Sequence, residues 1–169
     1  MKANGSVYVT VVFAALVGYF SYQWWFNPHR AVKRRLGNLA ATLSVPAGEA
    51  ELGHVARLAQ LRRYLADSIH IRAGRSFPEL SSRDAVMAAV GGWTPPGGCN
   101  VDFVDVDVTV DSDTVARAYV TVDMTTRDPK TGQQTLDSRE ARLAMVKQEG
   151  EWVVSEVDAK DPPEPPSPP

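Results

Sequence analysis

The spacing of apolar positions changes twice along this chain. From Val7 to Phe26, twenty consecutive residues, VYVTVVFAALVGYFSYQWWF, carry no charge. A helix of that length rises about 30 Å, roughly the thickness of a bilayer's hydrocarbon core. Tyr22, Trp24 and Trp25 at its far end are amphipathic rings of the kind that gather at headgroup level. The pattern predicts a single transmembrane helix over Val7–Phe26 behind a tail of residues 1–6, with the lipid bilayer as its partner. The rival reading is a cleaved signal peptide. Against it, no small-x-small cleavage site follows Phe20, where the chain continues Ser21-Tyr22-Gln23-Trp24. Arg30, Lys33 and Arg34 just beyond the span extend the membrane-interface set and, by charge count, favour a cytoplasmic remainder. A short, weakly basic tail before a span favours export instead, and the sequence leaves both topologies open. The location expected is a single pass through a membrane, the inner membrane of a bacterium.

The period then becomes helical. Asn27-Pro28 is a helix start, with asparagine as cap and proline where no N–H is needed. Val32, Leu36, Leu39, Ala40 and Leu43 recur at helical spacing, and Val45-Pro46-Ala47-Gly48 ends the run. A second helix is predicted from Glu51 to Ala66 on the stripe Val55, Leu58, Leu61 and Leu65. Ser68–Arg72 reads as a brief strand. Ser81-x-x-Asp84 resembles a capping box, so a third helix is expected through Ala85, Val86, Ala89 and Val90, stopped by Gly91-Gly92 in a left-handed conformation.

From Asn100 the period is two. Val104, Val106, Val108 and Val110 share one strand face, opposite Phe103, Asp105, Asp107 and Thr109. Ala116, Ala118, Val120, Val122 and Met124 continue an apolar face beyond a turn. Matching these faces sets Val106 opposite Val120, Asp107 opposite Tyr119 and Thr109 opposite Arg117, with Ser112-Asp113-Thr114 as a three-residue loop. Two further strands follow, one carrying Ala141, Leu143 and Met145, the other running from Trp152 to Asp158. Residues 160–169 end in six prolines within eight positions and read as an extended, unfolded tail.

Composition narrows the chemistry. With 44% hydrophobic and 22% charged residues, the chain can fill one packed domain, residues 27–159. Eighteen basic against twenty acidic side chains leave a net charge of −2 and no basic field for nucleic acid. The single cysteine, Cys99, excludes an internal disulfide and has no sequence partner that would activate it. Asp105 and Asp107 begin like a calcium loop, but Thr109 and Val110 then break the ligand pattern. His29, His54 and His70 fall into no metal-binding spacing and read as two helix-surface histidines and one strand histidine. No metal and no cofactor is expected. Asp105, Asp107, Arg117, Asp123, Glu140 and Arg142 read as cross-strand ion pairing on a wet sheet face, the alternative being a polar surface that pairs with a second copy.

The order helix, helix, short strand, helix and then long strands, with Ser82-Arg83-Asp84-Ala85-Val86 after the short strand and Gly150-Glu151-Trp152-Val153-Val154 opening the last one, resembles the nuclear transport factor 2-like superfamily in its SnoaL-like branch. The resemblance spans about residues 28–159. It implies an α+β fold in which a curved, cone-shaped antiparallel sheet wraps three helices, often dimeric through the sheet, with a pocket at the open end. Enzymes of the superfamily carry Tyr and Asp in that pocket, whereas the matching face here is Val, Ala, Leu and Met. The reading is therefore a membrane-tethered, noncatalytic binding or interaction domain, as a homodimer or with an envelope protein. The alternative is a SnoaL-like isomerase or hydrolase acting on a small apolar molecule. Tyr64, His70 and Trp93 are the candidates for the pocket mouth, Trp93 as a lid in its Gly- and Pro-rich loop.

Overall fold

The computed structural model describes residues 11–18, 27–74 and 77–160. Residues 11–18 are helical and exposed. The rest of the expected span, with Tyr22, Trp24 and Trp25, lies outside the described residues, as does the proline-rich tail from residue 161. Among the described residues, no helix is long and apolar enough to cross a membrane.

Three helices and five strands follow. Helix α1 is Pro28–Leu43, capped by the Asn27 side chain, which accepts the His29 N–H at 3.0 Å. Val32, Leu36, Leu39 and Ala40 are buried on one side of α1, while Arg30, Lys33 and Arg34 face out. Helix α2 is Glu51–Arg62, four residues shorter than its apolar periodicity suggests. Leu65 and Ala66 belong instead to strand β1, Leu65–Ala73, so the helical stripe and the strand face share a residue. Its buried face also differs from expectation. Val55 points outward at 57% exposure, and Arg57 is buried beside Leu61. Helix α3, Arg83–Gly91, is capped by Ser82 rather than Ser81, and its C-cap Gly92 keeps a right-handed φ of −81°.

Strands β2 (Cys99–Ser112), β3 (Val115–Arg127), β4 (Gln134–Gln148) and β5 (Glu151–Ala159) complete one sheet in the order β1-β5-β4-β3-β2. Neighbours from β2 to β5 are antiparallel, but β1 runs parallel to β5, so the sheet is mixed. The expected register holds where Asp107 meets Tyr119, Val108 meets Ala118 and Thr109 meets Arg117. On either side it shifts. Val104 pairs with Thr121 while Asp107 pairs with Tyr119, so Asp105 and Val106 together face Val120 in a β-bulge, with Asp105 at φ 49°. The extra residue reverses the strand's faces. Beyond it Val106, Val108 and Val110 turn inward; before it Val101 and Phe103 do, and Val104 faces out. At the hairpin, Ser112 pairs with Val115, so the loop is the two residues Asp113-Thr114 rather than three.

The concave face of this sheet carries Val108, Ala116, Ala118, Val120, Ala141, Leu143 and Met145 against α1 and α3. This is the α+β cone that the element order implies.

Candidate functional site

The core does not fill the cone. A cavity of about 340 Å³ runs between the helices and the sheet. Leu39 and Leu43 of α1, Val86 and Val90 of α3, and Ile69, Ile71, Leu143 and Val157 of the sheet form its wall. Burial of such hydrocarbon faces drives folding, yet here part of the apolar wall stays unfilled. Phe77, 55% exposed, stands at the rim with Asp137 and Arg139. The Arg139 Nη2 lies 3.0 Å from Asp137 Oδ2, its Nε donates to the same oxygen at 3.1 Å, and the guanidinium sits 5.7 Å from the Phe77 ring centre. These two side chains are the only charged groups in the lining among the described residues.

Of the expected mouth residues, none lines this cavity. Tyr64 is buried beneath the Arg35 guanidinium, 4.2 Å from its ring centre, and borders a separate polar cleft. His70 is exposed and its Nδ1 lies 3.0 Å from the Ser68 carbonyl. Trp93 is 40% exposed, and the loop behind it is pinned. A Cβ on Gly97 would strike the Arg127 carbonyl, and one on Gly98, at φ +78°, would sit 2.7 Å from the Ala47 nitrogen. Backbone packed that closely does not swing as a lid. The residues that do mark the mouth were within reach of the sequence. Ala141, Leu143 and Met145 define the inward parity of β4, and the same parity carried backward reaches Arg139 and Asp137.

Several polar side chains elsewhere are structurally committed. His54 is not a surface residue. Its Nδ1 lies 3.1 Å from Glu49 Oε2 and its Nε2 lies 3.2 Å from the Gly91 carbonyl, tying α2 to the end of α3. Arg57 donates to both Glu49 oxygens at 2.9 and 3.0 Å, and this pairing holds the Glu49 carboxyl below its ordinary value. Cys99 is buried in a bridge to Val45, and burial pushes its thiol up, away from a reactive thiolate. On the outer sheet face Asp111 accepts two hydrogen bonds from Arg117, at 2.8 and 2.7 Å, and Arg142 lies over the Tyr119 ring. Among the described residues, no three His, Cys, Asp or Glu side chains converge as metal ligands.

No protein-family model matches the chain, and no curated protein sequence does. Solved structures match it closely in shape. One is an NTF2-like protein with a cystatin-like fold from Novosphingobium aromaticivorans, with a TM-score of 0.62 at 15% identity over 83% of this chain and 86% of that one. The fold is nuclear transport factor 2-like. A provisionally named scytalone dehydratase from the same organism gives a TM-score of 0.60 at 16% identity, covering 77% of this chain and 80% of that one. ActVI-ORFA from Streptomyces coelicolor gives 0.62 at 13% identity, covering 79% and 96%. At such identities the likeness carries the nuclear transport factor 2-like fold and no activity.

Proposed function

We propose that this domain is a noncatalytic binding module that takes a small, mostly apolar molecule into its cone. The observation that carries the reading is the lining: hydrocarbon throughout, with one charged pair, Asp137 and Arg139, confined to the mouth. Its volume falls at the small end of the roughly 300–1,000 Å³ range of ligand sites. Proton transfer needs an acid or base poised near the reacting atom. Asp137, the one carboxylate in the lining, is instead held by Arg139. That geometry suits an orienting contact to the polar end of a guest. Native mass spectrometry of the protein as purified tests this: a bound apolar molecule of a few hundred daltons is expected, and only empty protein under lipid-rich growth argues against it.

The second reading is a SnoaL-like enzyme acting on the same guest, with Asp137 as its acid or base. It draws on Asp137 lining the cavity and on the dehydratase name of one structural neighbour. Turnover of a bound molecule, lost in Asp137→Asn, would favour it.

The module is tethered to a membrane through Val7–Phe26, in this proposal, and pairs through the outer sheet face around Tyr119 and Arg142 with a second copy or an envelope protein. The twenty uncharged residues support the tether. Carbonate extraction of membranes tests it: the chain should stay in the pellet, and release of a form beginning after residue 21 would identify a signal peptide.

A further inference from the structure

At the end of the sheet away from the cavity mouth, Arg35 of α1, Arg62 and Arg63 at the end of α2, and Arg83 of α3 meet the β4–β5 turn. Their cleft, about 800 Å³, has no role in the binding reading above. Arg35 is fixed in its floor: Nε donates to the Trp152 carbonyl at 2.9 Å, Nη2 to the Arg63 carbonyl at 2.7 Å, and the guanidinium rests on Tyr64. Arg83, the first residue of α3, is the second floor group. The two arginine side chains are only 20% and 25% exposed.

Their acidic partners are placed differently. Glu151 pairs with Arg35 and Asp67 with Arg83, yet these carboxylates are 68% and 78% exposed. Pairs with one end in water contribute little to stability, so both acids can leave cheaply. Asp67 also leaves its arginine half used. It meets Nη2, while the buried Arg83 Nε has no acceptor. A guanidinium edge offers Nε and Nη2 as a parallel pair of donors that matches two oxygens of one oxyanion. Beside it, the exposed Arg63 makes no side-chain hydrogen bond or ion pair among the described residues, and Arg62 reaches only the outlying Asp84.

We propose that this cleft binds a phosphate group, which displaces Asp67 from the Arg83 edge and recruits Arg63. Arg83 at the start of α3 and Arg63 just past the end of α2 line one cleft from separate elements, which suits a tetrahedral dianion better than a planar carboxylate. Glu151 and Asp67 act as exposed stand-ins that keep the arginines paired until the anion arrives. A free phosphorylated metabolite and a phospholipid headgroup share this chemistry.

The test titrates the full chain in detergent with inorganic phosphate, against chloride at equal ionic strength, by calorimetry. Saturable phosphate binding is expected, weakened about tenfold or more in Arg63→Ala and tightened in Asp67→Asn. Arg63→Ala removes an exposed side chain without partners, so the fold is not at stake. Phosphate that binds no better than chloride, or that binds Arg63→Ala and Arg83→Gln as well as the parent, overturns the proposal. A second arm uses phosphatidylcholine vesicles with and without phosphatidic acid. Selective binding lost in Arg63→Ala assigns a headgroup, and phosphate binding without vesicle selectivity assigns a free ligand.

Discussion

Arg139 and Asp137 stand two residues apart on β4 at the mouth of the cone, joined Nη2 to Oδ2 at 3.0 Å with the Phe77 ring beside them. Residues two apart on a strand share a face, so the inward parity that makes the wall apolar also sets this pair at its rim. The carboxylate partly neutralises the guanidinium. Asp137→Asn should free Arg139 and tighten binding of decanoate about three- to tenfold while leaving decanol unchanged. Arg139→Gln should weaken decanoate alone. Displacement of a fluorescent probe by each compound reads both effects.

The bulge makes a prediction about backbone. Asp105 sits at φ 49°, a conformation that costs an L-residue about 1–2 kcal/mol and a glycine almost nothing. Asp105→Gly is expected to be neutral or to stabilise by up to about 1 kcal/mol in urea unfolding, and Asp105→Val to destabilise by about 1–2 kcal/mol.

Opposite the bulge, Val120 is 3% exposed on the concave face, whereas Asp107 on the convex face is exposed. Val120→Asp buries a carboxylate without a partner and should cost more than about 3 kcal/mol, seen as loss of the cooperative thermal transition. Asp107→Asn should shift stability by less than about 0.5 kcal/mol.

Acid should loosen the α2–α3 contact. Glu49 is held below its ordinary value of 4.5 by Arg57 and His54. A carboxyl lowered in the folded state contributes stability that is present above the unfolded value and lost as pH falls through the folded one. The contribution is therefore intact above about pH 5 and is lost progressively as pH falls from 4.5 through the lowered folded value. Glu49→Gln, measured by thermal melts from neutral to acid pH, should be less stable near neutrality and flatter across that window. His54 and Arg57 are the charged or titratable partners of Glu49 in the parent, and both remain in Glu49→Gln.

How far the sequence carried varies with the physics of each element. Strict alternation fixed the Asp107–Tyr119 and Val108–Ala118 pairs, because a one-residue slip there would turn every valine into water. The same alternation hid the bulge, since Val104 keeps an even-numbered valine where the strand has already changed faces. Leu65 satisfies the α2 stripe and the β1 face equally, so apolar periodicity alone carries α2 past its true end at Arg62. The cavity itself depends on long-range closure of helices over the sheet, which no local period reports. The element order places Tyr64, His70 and Trp93 near the open end of the cone, but it does not report side-chain direction, and none of the three lines the cavity. Trp93→Ala, with the ring partly in solvent and its loop pinned, should change stability by about 1 kcal/mol or less and leave uptake intact.

The central claim is that the cone admits an apolar guest, and a blocked cone tests it directly. Val157 lines the cavity and is half-buried, so Val157→Trp places a large ring in the existing space. Titration with 8-anilinonaphthalene-1-sulfonate, alongside a melting curve for each protein, gives the answer. The parent should bind one equivalent, displaced by decanoate, and Val157→Trp should retain its cooperative melt and lose about tenfold or more in affinity. Equal binding by the parent and a folded Val157→Trp would contradict the account.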